Sequence, residues 1–402
     1  MRIPNPIRSL RRYLAFRSDF RRLGAEAQQK YGASVSQMRK EFMSLRDANG
    51  LGRHEYFYFG LFDPSLPWER KREYIGNALL RRLWSALNPI EYRYIFKNKL
   101  VFDQVCRSAG LPSPPFVAVF DPDHGRTADG RPLRTVAEIE EWIRTGTDGD
   151  IVMKPAEGAE GKMVRAFKGK RLDPAPALIA LDDTPVTAQE LHDFLTDAER
   201  LREACEGPET NACILIQRRV RNHPALARLA PHTLNTLRLV TLQDRGIEPA
   251  IIAATLKLQT GTSGMDNLHW GSLVISVDME SGFLKTAWTV APDAYRGRFE
   301  QLPPLERMET APTSGIRFAD VRIPMWNEAK QTALRAAAAF PYVRAIGWDV
   351  AVTPDGPCII EGNWAWGGAI AQGGSGRGLY HGNFKRICDR LREEGKADQA
   401  LV

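Results

Sequence analysis

The stretch GWDVAVTPDGPCIIEGN, residues 347–363, predicts a β-hairpin that carries three oxygen ligands. Two apolar runs surround a turn at residues 353–356, whose Pro-Asp-Gly composition is typical of tight turns. Asp349 lies on the first strand, while Glu361 and Asn363 are two residues apart and share one face of the second. Hard oxygen ligands of this kind suit Mg²⁺. The hairpin therefore predicts a magnesium site, the alternative being strand-end polar groups that face water.

A second segment, DIVMKPAEGAEGK at residues 150–162, is typical of a strand that leads into a phosphate-binding loop. Lys154 ends the apolar strand, and Gly158, Gly161 and Lys162 follow it. Glycines let backbone N–H groups approach phosphates, and lysines add positive charge. The segment lacks the spacing GxxxxGK followed by Ser or Thr, so it is not a Walker A loop. By itself it also fits an ordinary hairpin with exposed lysines.

The rest of the chain has the pattern of an α+β protein. The first ninety or so residues predict a mainly helical region, and residues 97–110 a helix that leads through a Pro-rich turn into a strand. Residues 168–185 predict a surface excursion, and residues 188–205 a helix. The sequence also predicts three strands, at residues 212–220, 235–243 and 248–259, and a hairpin at residues 271–290 that turns at 280–282. An Ala-rich helix is predicted at residues 327–340 and a Gly-rich loop at residues 367–378.

Two basic residues fall inside predicted strands, Arg238 in NTLRLVTL and Lys257 in AATLKLQ. A buried arginine needs an anionic partner. Because the segment at residues 150–162 predicts a bound phosphate ligand, we assign Arg238 to the γ-phosphate or the transferring phosphoryl group of that ligand, with a structural salt bridge as the alternative. Lys257 and residues 266–269, among them the candidate catalytic residue Asn267, lie on or after adjacent strands. We expect them to face the same cleft, the alternative being ordinary structural roles.

The charge of the chain is concentrated at its N-terminus. Of the net charge of +7, residues 1–22 supply +6, because they contain seven arginines and one aspartate. The body is therefore nearly neutral, which argues against a nucleic-acid partner. Apolar residues recur at helical spacing among these arginines, so the arm is expected either to contact an anionic membrane surface or a partner protein, or to form a solvated helix on the body.

Neither a membrane span nor a secretion signal is indicated, since no apolar run approaches the roughly 18 to 20 residues of a spanning helix. The five cysteines form no CxxC pair and no cluster with histidine, which argues against a zinc site and a disulfide framework. These features predict a cytoplasmic protein, which the basic arm could hold at the inner membrane surface.

Taken in order, the helix before LPSP, the lysine strand, ILIQRRV, NTLRLVTL and the hairpin with IIEGN resemble the ATP-grasp superfamily, and most closely its sugar-transfer-associated family, over about residues 95–385. The resemblance implies an α+β ATP-grasp fold, in which two α+β subdomains clasp ATP. The implied boundaries are a basic helical region at 1–94, a small subdomain at 95–218 and a large subdomain at 219–402.

The resemblance also implies roles for particular residues. Lys99 and Lys154 would bind the α- and β-phosphates, and the loop Glu160-Gly161-Lys162 would close over them. The adenine would lie beside four consecutive residues that follow an apolar strand, Gln217, Arg218, Arg219 and Val220. Many ATP-grasp ligases have an arginine two residues before the magnesium aspartate. Here Gly347 stands in that place, and Arg238 or Arg344 would compensate.

The implied activity is that of an ATP-grasp carboxylate-amine ligase, which uses ATP and one or two Mg²⁺ ions. It would activate an acceptor carboxylate as an acylphosphate for attack by an amine or another nucleophile, in polysaccharide or cell-surface sugar biosynthesis. The acceptor would be a small molecule or a saccharide. Two alternatives stay open: a kinase that phosphorylates a hydroxyl of a sugar or related acceptor, and a nucleotide-binding module without catalysis.

Overall fold

The structure is a computed structural model, and it describes residues 20–29, 31–158, 161–205, 213–231, 233–259, 273–289 and 306–395. Within these ranges the strands form two seven-stranded antiparallel sheets, with helices before, between and after them. The α+β class is therefore confirmed. The predicted domain boundaries stay predictions, because nothing in the fold tests where one unit ends and the next begins.

The N-terminal region is helical and has its own aromatic core. The side chains of Phe20, Phe42, Tyr56 and Phe57 are all buried, and their rings contact one another at centroid distances of 5.0 to 6.3 Å. Aromatic side chains bury a large apolar area each, so a few of them are enough to hold short helices together. Residues 20–29 are helical, and they are followed by α1 Val35–Asn49, α2 Arg53–Tyr58, α3 Trp68–Lys71 and α4 Asn77–Leu87.

Two short helices connect this region to the first sheet. They are α5 Arg93–Lys97, which follows the 3₁₀ turn Ile90–Tyr92, and α6 Lys99–Ser108. Asn98 separates them and caps α6, because its side-chain oxygen accepts hydrogen bonds from the backbone of Leu100 and Val101 at 3.1 Å. The helix predicted over residues 97–110 is thus confirmed in its main part.

The first sheet has the strand order β2-β1-β7-β3-β4-β5-β6. Its strands are β1 Phe116–Phe120, β2 Arg126–Thr127, β3 Ile151–Pro155, β4 Arg165–Arg171, β5 Ala177–Ala180, β6 Pro185–Thr187 and β7 Ile214–Arg218. The surface excursion predicted for residues 168–185 is wrong, since much of it forms the strands β4 and β5, which pair in the interior of the sheet order, with β6 at the edge. β4 is rich in basic residues, and most of its side chains are only partly buried. The helix α7 Val136–Glu141 and the π-helical turn Trp142–Gly146 precede β3.

The single helix predicted over residues 188–205 is two helices, α8 Ala188–Thr196 and α9 Ala198–Ala204. The break falls at Asp197, whose backbone is extended and whose carboxylate accepts hydrogen bonds from Glu199 and Arg200 backbone N–H groups at 3.1 Å. An aspartate in this position caps a new helix rather than continuing the old one.

The second sheet has the order β12-β11-β10-β9-β8-β13-β14. Its strands are β8 Thr236–Asp244, β9 Ile247–Leu258, β10 Leu273–Val277, β11 Leu284–Thr289, β12 Glu306–Met308, β13 Ala345–Thr353 and β14 Gly356–Asn363. The predicted hairpins at 347–363 and around 280–282 are confirmed. Eight consecutive residues of β8 and eight of β13 are buried, because both faces of these central strands are covered.

One face of this sheet packs on α11 Trp326–Ala339 and on α6, around Trp348 and a cluster of phenylalanines. The other face packs on α12 Gly368–Ser375, where the sequence predicts a loop. The loop prediction is wrong because its glycines serve packing: a Cβ on Gly374 would lie 2.3 Å from Val274 Cγ1. The short α10 Pro224–Ala227 lies between the two sheets in the chain, and α13 Gly382–Glu393 follows α12.

Among the described residues, no helix combines the length and apolar character needed to cross a membrane.

Candidate active site

A cluster of ion pairs lies at the centre of the second sheet. Arg238, Asp349 and Glu361 are register neighbours on β8, β13 and β14, so their side chains share one face. Arg238 donates from Nε and Nη2 to the two Asp349 oxygens at 2.5 and 3.1 Å. Lys257 Nζ on β9 donates to Asp349 Oδ2 at 2.8 Å. The anionic partner of Arg238 within the protein is therefore Asp349, which corresponds to the salt-bridge alternative.

The two carboxylates of this cluster respond in opposite directions to their surroundings. Burial alone would raise the pKa of Asp349, which is 2% exposed, but the charges of Arg238 and Lys257 outweigh it and hold that pKa well below its ordinary value. The pKa of Glu361 is raised, first by its loss of solvent and then by the negative charge of Asp349. The face thus holds a firmly ionised carboxylate beside one whose charged form is disfavoured, although the charges of Lys99 and Lys257 partly offset that effect.

The third predicted metal ligand, Asn363, lies on the same strand as Glu361 and opposite Gly347. Its side-chain amide donates to the Gly347 carbonyl at 3.1 Å, which leaves the amide oxygen to face away from that contact. Asp349, Glu361 and Asn363 are thus brought together, as the hairpin predicts. Among the described residues, no group of three or more His, Cys, Asp or Glu side chains is arranged to hold a metal ion. The candidate set Asp349, Glu361 and Asn363 is not such a group, because it combines two carboxylates with an amide.

Lys154 approaches this cluster from the first sheet, and Lys99 approaches it from helix α6. Lys154 is the fourth residue of β3, and Lys99 is the first residue of α6. Burial and the positive charge of Lys99 lower the pKa of Lys154 to about 8, while Glu361 acts on Lys154 in the opposite direction. The charge of Lys99 also acts on Glu361. The two predicted phosphate lysines therefore lie close to each other and to a predicted metal ligand.

The loop after Lys154 is described only in part, since Glu160 lies outside the described residues. Gly161 has a φ of +73°, a conformation that favours glycine, and the side chain of Lys162 next to it is exposed. The start of the loop is held on α6, where Lys99 N donates to Ala156 O at 2.7 Å and the Lys99 ammonium donates to Gly158 O. Asn267 and the rest of residues 266–269 also lie outside the described residues.

The four residues predicted beside adenine lie at the end of β7, and three of their side chains are occupied by protein partners. Gln217 donates to Asp103 at 2.9 Å, Arg218 pairs with Asp148, and Arg219 pairs with Asp150 at 2.7 Å. A base bound here would therefore have to use backbone groups, including those of Val220. The adenine assignment stays a prediction.

The structure distinguishes the two arginines that could compensate for Gly347. Arg344 donates to Asp244 at 3.0 Å and to the carbonyls of Leu87 and Ala86, so it is held away from Asp349. Arg238 instead lies against the glycine: a Cβ on Gly347 would be 3.2 Å from Arg238 Cδ and 2.5 Å from Trp366 Cβ. The missing side chain at 347 makes the space that Arg238 and Trp366 use.

Sequence reasoning missed two buried acids near the site. Asp103, 3% exposed, holds Gln217, and Glu157, 7% exposed, accepts hydrogen bonds from Tyr94 and Asn98. Glu157 could have been found from its position, since an acid that comes directly after a buried strand and before glycines is seldom left without partners.

Comparison with known proteins adds a family and several similar folds. The sequence matches the sugar-transfer associated ATP-grasp family over residues 79–388, and no curated protein matches it. Biotin carboxylase from Campylobacter jejuni, solved as a complex with β,γ-ATP, is 11% identical, with a TM-score of 0.42 and coverage of 82% of this chain and 54% of that one. D-alanyl-alanine synthetase A from Vibrio cholerae is 10% identical, with a TM-score of 0.40 and coverage of 76% and 66%.

L-amino acid ligase from Bacillus licheniformis is 12% identical, with a TM-score of 0.33 and coverage of 78% of this chain and 46% of that one. The chain spans about half to two thirds of the length of these solved structures. The family match, in contrast, covers more than three quarters of the 402 residues and includes the lysine strand, the ion-pair cluster and the hairpin. The chain therefore belongs to the sugar-transfer associated ATP-grasp family.

Proposed function

We propose that this protein is an ATP- and Mg²⁺-dependent ligase of the ATP-grasp type, which activates an acceptor carboxylate for attack by an amine or another nucleophile. The observation that carries the proposal is the charge arrangement at the site. Two lysines of the first sheet region, Lys99 and Lys154, and two cations of the second sheet, Arg238 and Lys257, lie around one pair of carboxylates. Cations gathered at one buried place suit a polyanionic ligand such as a triphosphate.

The residues of the hairpin fit Mg²⁺. Glu361 lies beside the ionised Asp349, and its raised pKa reflects burial and the negative charge of Asp349, which Lys99 and Lys257 only partly offset. A divalent cation would add positive charge there, and the hard oxygens of Asp349, Glu361 and Asn363 are the donors it prefers. When bound, Mg²⁺ would neutralise part of the triphosphate charge.

In this proposal Lys99, Lys154 and the loop at Gly161 and Lys162 bind and orient the phosphates. The lowered pKa of Lys154, about 8, means that its ammonium form is destabilised in the protein alone. A neighbouring triphosphate restores that form, so part of the binding free energy comes from relieving an electrostatic cost already present in the folded chain.

Arg238 and Lys257 would stabilise negative charge during transfer. An oxygen of the acceptor carboxylate bonds to the γ-phosphorus, the bond from that phosphorus to the β–γ bridging oxygen breaks, and ADP leaves. The nucleophile then bonds to the acyl carbon, phosphate leaves, and an amine nucleophile loses one proton. Both steps need positioned cations rather than a protein nucleophile. Arg238 and Lys257 suit this task because Asp349 already holds them in place.

The acceptor in this proposal is a small molecule or a saccharide that carries a carboxylate, and the process served is polysaccharide or cell-surface sugar biosynthesis. A kinase reaction on a sugar hydroxyl is the second candidate, because Gly347 replaces the arginine that many ATP-grasp ligases have. Arg238 lies beside the space that Gly347 leaves, and its guanidinium pairs with Asp349. This arrangement favours the ligase, because a guanidinium is still present beside the aspartate although position 347 has no arginine.

A screen of carboxylate acceptors with γ-labelled ATP and Mg²⁺ separates the two reactions. A ligase is expected to release ADP and free phosphate, and added hydroxylamine is expected to trap the acylphosphate as a hydroxamate. Label that stays on the acceptor in an acid-stable, hydroxylamine-resistant bond would instead establish the kinase. The distinction is chemical: an acylphosphate is a mixed anhydride open to nucleophiles, and a sugar phosphoester is not.

A further inference from the structure

Glu157 is a buried carboxylate, and both of its oxygens have protein partners. It comes two residues after β3 ends at Pro155, and its Oε1 accepts hydrogen bonds from Tyr94 Oη at 2.9 Å and Asn98 Nδ2 at 3.2 Å. Its Oε2 pairs with Lys97 Nζ at 3.3 Å. All three donors belong to the segment of α5 and the cap of α6. One carboxylate therefore fixes the start of the predicted phosphate loop to the helices that precede the first sheet.

The backbone on either side of Glu157 is held by Lys99. Lys99 N donates to Ala156 O at 2.7 Å, and its ammonium donates to Gly158 O. On the opposite side, Ala156 N donates to Cys213 O at 2.8 Å, which ties the same turn to the residue before β7. The turn at residues 156–158 is thus fixed by three independent sets of contacts, and Glu157 supplies the side-chain set.

Asn98 links this carboxylate to the helix that carries Lys99. Its oxygen caps α6 by accepting from Leu100 N and Val101 N, while its amide donates to Glu157. An asparagine amide is planar, so a partner on one end orients the other. The position of Glu157 therefore affects the first turn of α6, where Lys99 lies.

Helix α5 also contacts the hairpin of β13 and β14, which carries the predicted metal ligands. Phe96 on α5 packs on β14, where a Cβ on Gly362 would lie 2.9 Å from the Phe96 ring. Gly362 is flanked by the predicted metal ligands Glu361 and Asn363. Helix α5 therefore touches the phosphate loop through Tyr94 and Lys97, and the hairpin through Phe96.

We propose that Glu157 is a positioning residue, which holds the turn at residues 156–158 and Lys99 in the geometry that binds the α- and β-phosphates of ATP. This inference rests on the proposed function. It assigns no contact between Glu157 and the nucleotide, because all three of its partners are protein groups. Loss of the carboxylate is expected to affect ligands in proportion to the phosphates they carry, since the adenosine part would lie by β7 and not by this turn.

The test compares Mg-ATP with AMP as calorimetric probes on the full chain and on two variants. Glu157→Gln removes the charge that Lys97 pairs with, and Tyr94→Phe removes one hydroxyl from a side chain that is 49% exposed, so it spares the core. Both variants are expected to bind Mg-ATP about tenfold more weakly, the usual effect of losing a hydrogen bond to a charged group. AMP, which carries only the α-phosphate, is expected to lose less affinity than Mg-ATP in both variants.

Glu55→Gln is the matched control. Glu55 is 6% exposed and accepts from Gly52 N at 2.6 Å and Asn77 N at 2.8 Å, so it is as buried as Glu157 but lies in the N-terminal helical region. It is expected to lower the melting temperature without changing the Mg-ATP to AMP ratio. Unchanged Mg-ATP affinity in folded Tyr94→Phe and Glu157→Gln, or equal weakening of both ligands, would overturn the positioning role. Absence of Mg-ATP binding to the unaltered chain would overturn the proposed function itself.

Discussion

At the scale of single residues, the site is organised around Asp349. Its carboxylate receives two bonds from Arg238 and one from Lys257, so the protein compensates this buried charge from its own side chains. Lys99 and Lys257 also act on Glu361, but burial and the negative charge of Asp349 outweigh them and raise its pKa. The two acids are therefore expected to differ in what their substitution does.

Substituting Glu361 by Gln is expected to reduce Mg²⁺-dependent turnover by a hundredfold or more while leaving stability unchanged or higher. The change keeps the size of the side chain and removes a charge whose pKa is already raised by burial and by Asp349. Turnover at varied Mg²⁺ and thermal unfolding measure the two effects. Asp355→Asn, in the exposed turn of the same hairpin, is the control and should behave as the unaltered protein. If the melting temperature falls strongly while turnover per folded molecule is unchanged, the role of Glu361 is structural and not metal binding.

The pKa of Lys154 predicts proton uptake on binding ATP. In the folded protein this ammonium loses its proton near pH 8, against about 10.4 for an ordinary lysine. Between those values the unfolded chain holds more protons than the folded one, so the stability contributed by Lys154 rises with pH across that window. A bound triphosphate raises the pKa again. ATP binding at pH 8 to 9 is therefore expected to take up protons, and ATP affinity to fall as pH rises above 8.

Calorimetry in buffers of different ionisation enthalpy measures this proton uptake directly. Lys154→Met is the matched variant, since it keeps a long apolar stem and removes the titrating group. The uptake should disappear in that variant. Equal uptake in both proteins would assign it to another group and would remove Lys154 from the phosphate site.

At the scale of elements, the sequence was most informative where polar residues interrupt apolar runs. The hairpin at 347–363 could be predicted with its turn, because Pro-Asp-Gly and the spacing of Asp349, Glu361 and Asn363 leave few other arrangements. The ion pair between Lys257 and Asp349 could not be predicted from the sequence, because it joins β9 to β13 across β8 and therefore depends on the order of the strands. Strand order among antiparallel neighbours leaves little trace in local sequence.

Helix α12 was missed because its glycines predict a loop. Gly368 and Gly374 are required by close packing, since a Cβ on Gly368 would lie 2.4 Å from Leu80 Cδ2. Glycine is a poor helix former in isolation, and only contacts with the sheet and with α4 make the helix favourable. The strands β4 to β6 were missed for a different reason: β4 contains four basic residues, and the segments that separate the three strands contain Pro or Asp, so the region has the composition of a surface loop.

Gly347→Ala is expected to lower turnover strongly through displacement of Arg238 and Trp366. The added methyl would lie 2.5 Å from Trp366 Cβ and 3.2 Å from Arg238 Cδ, so one of them must move. We expect turnover to fall about tenfold or more and the free energy of unfolding to fall by about 1 to 3 kcal/mol. Gly169→Ala on β4 is the control, because nothing lies within 4 Å of its new methyl. Equal behaviour of the two variants in turnover would show that position 347 has no special role.

At the scale of the whole molecule, the described N-terminal helices limit the extent of the predicted basic arm. Phe20 is fully buried in the aromatic core, so the predicted arm cannot extend to residue 22. Arg22 Nη1 lies 3.5 Å from Glu26 Oε1, and both residues belong to the helical residues 20–29. Residues 1–18 still contain five arginines and no acid, which suits an anionic surface.

Deleting residues 1–18 is expected to leave turnover unchanged and to abolish salt-sensitive binding to vesicles that contain anionic lipid. The expectation follows from loss of five positive charges, whose attraction to such a surface is screened as salt rises. Co-sedimentation with anionic and neutral vesicles at two salt concentrations measures it. Equal vesicle binding with and without residues 1–18, or no vesicle binding by the full chain, would favour the alternative that the arm is a solvated helix on the body.

The measurement that tests the central claim most directly is thermal unfolding of the full chain with ATP, with Mg²⁺, and with both. A ligand that binds only the native state stabilises it by RT ln(1 + [L]/Kd), about 2.7 kcal/mol at a hundred times Kd. The proposed site predicts a rise of several degrees with ATP and Mg²⁺ together, larger than the sum of the two alone, and its loss in Lys154→Met and Glu361→Gln. An unfolding temperature that does not change at saturating ATP and Mg²⁺ would contradict the assignment of this cluster as a nucleotide site.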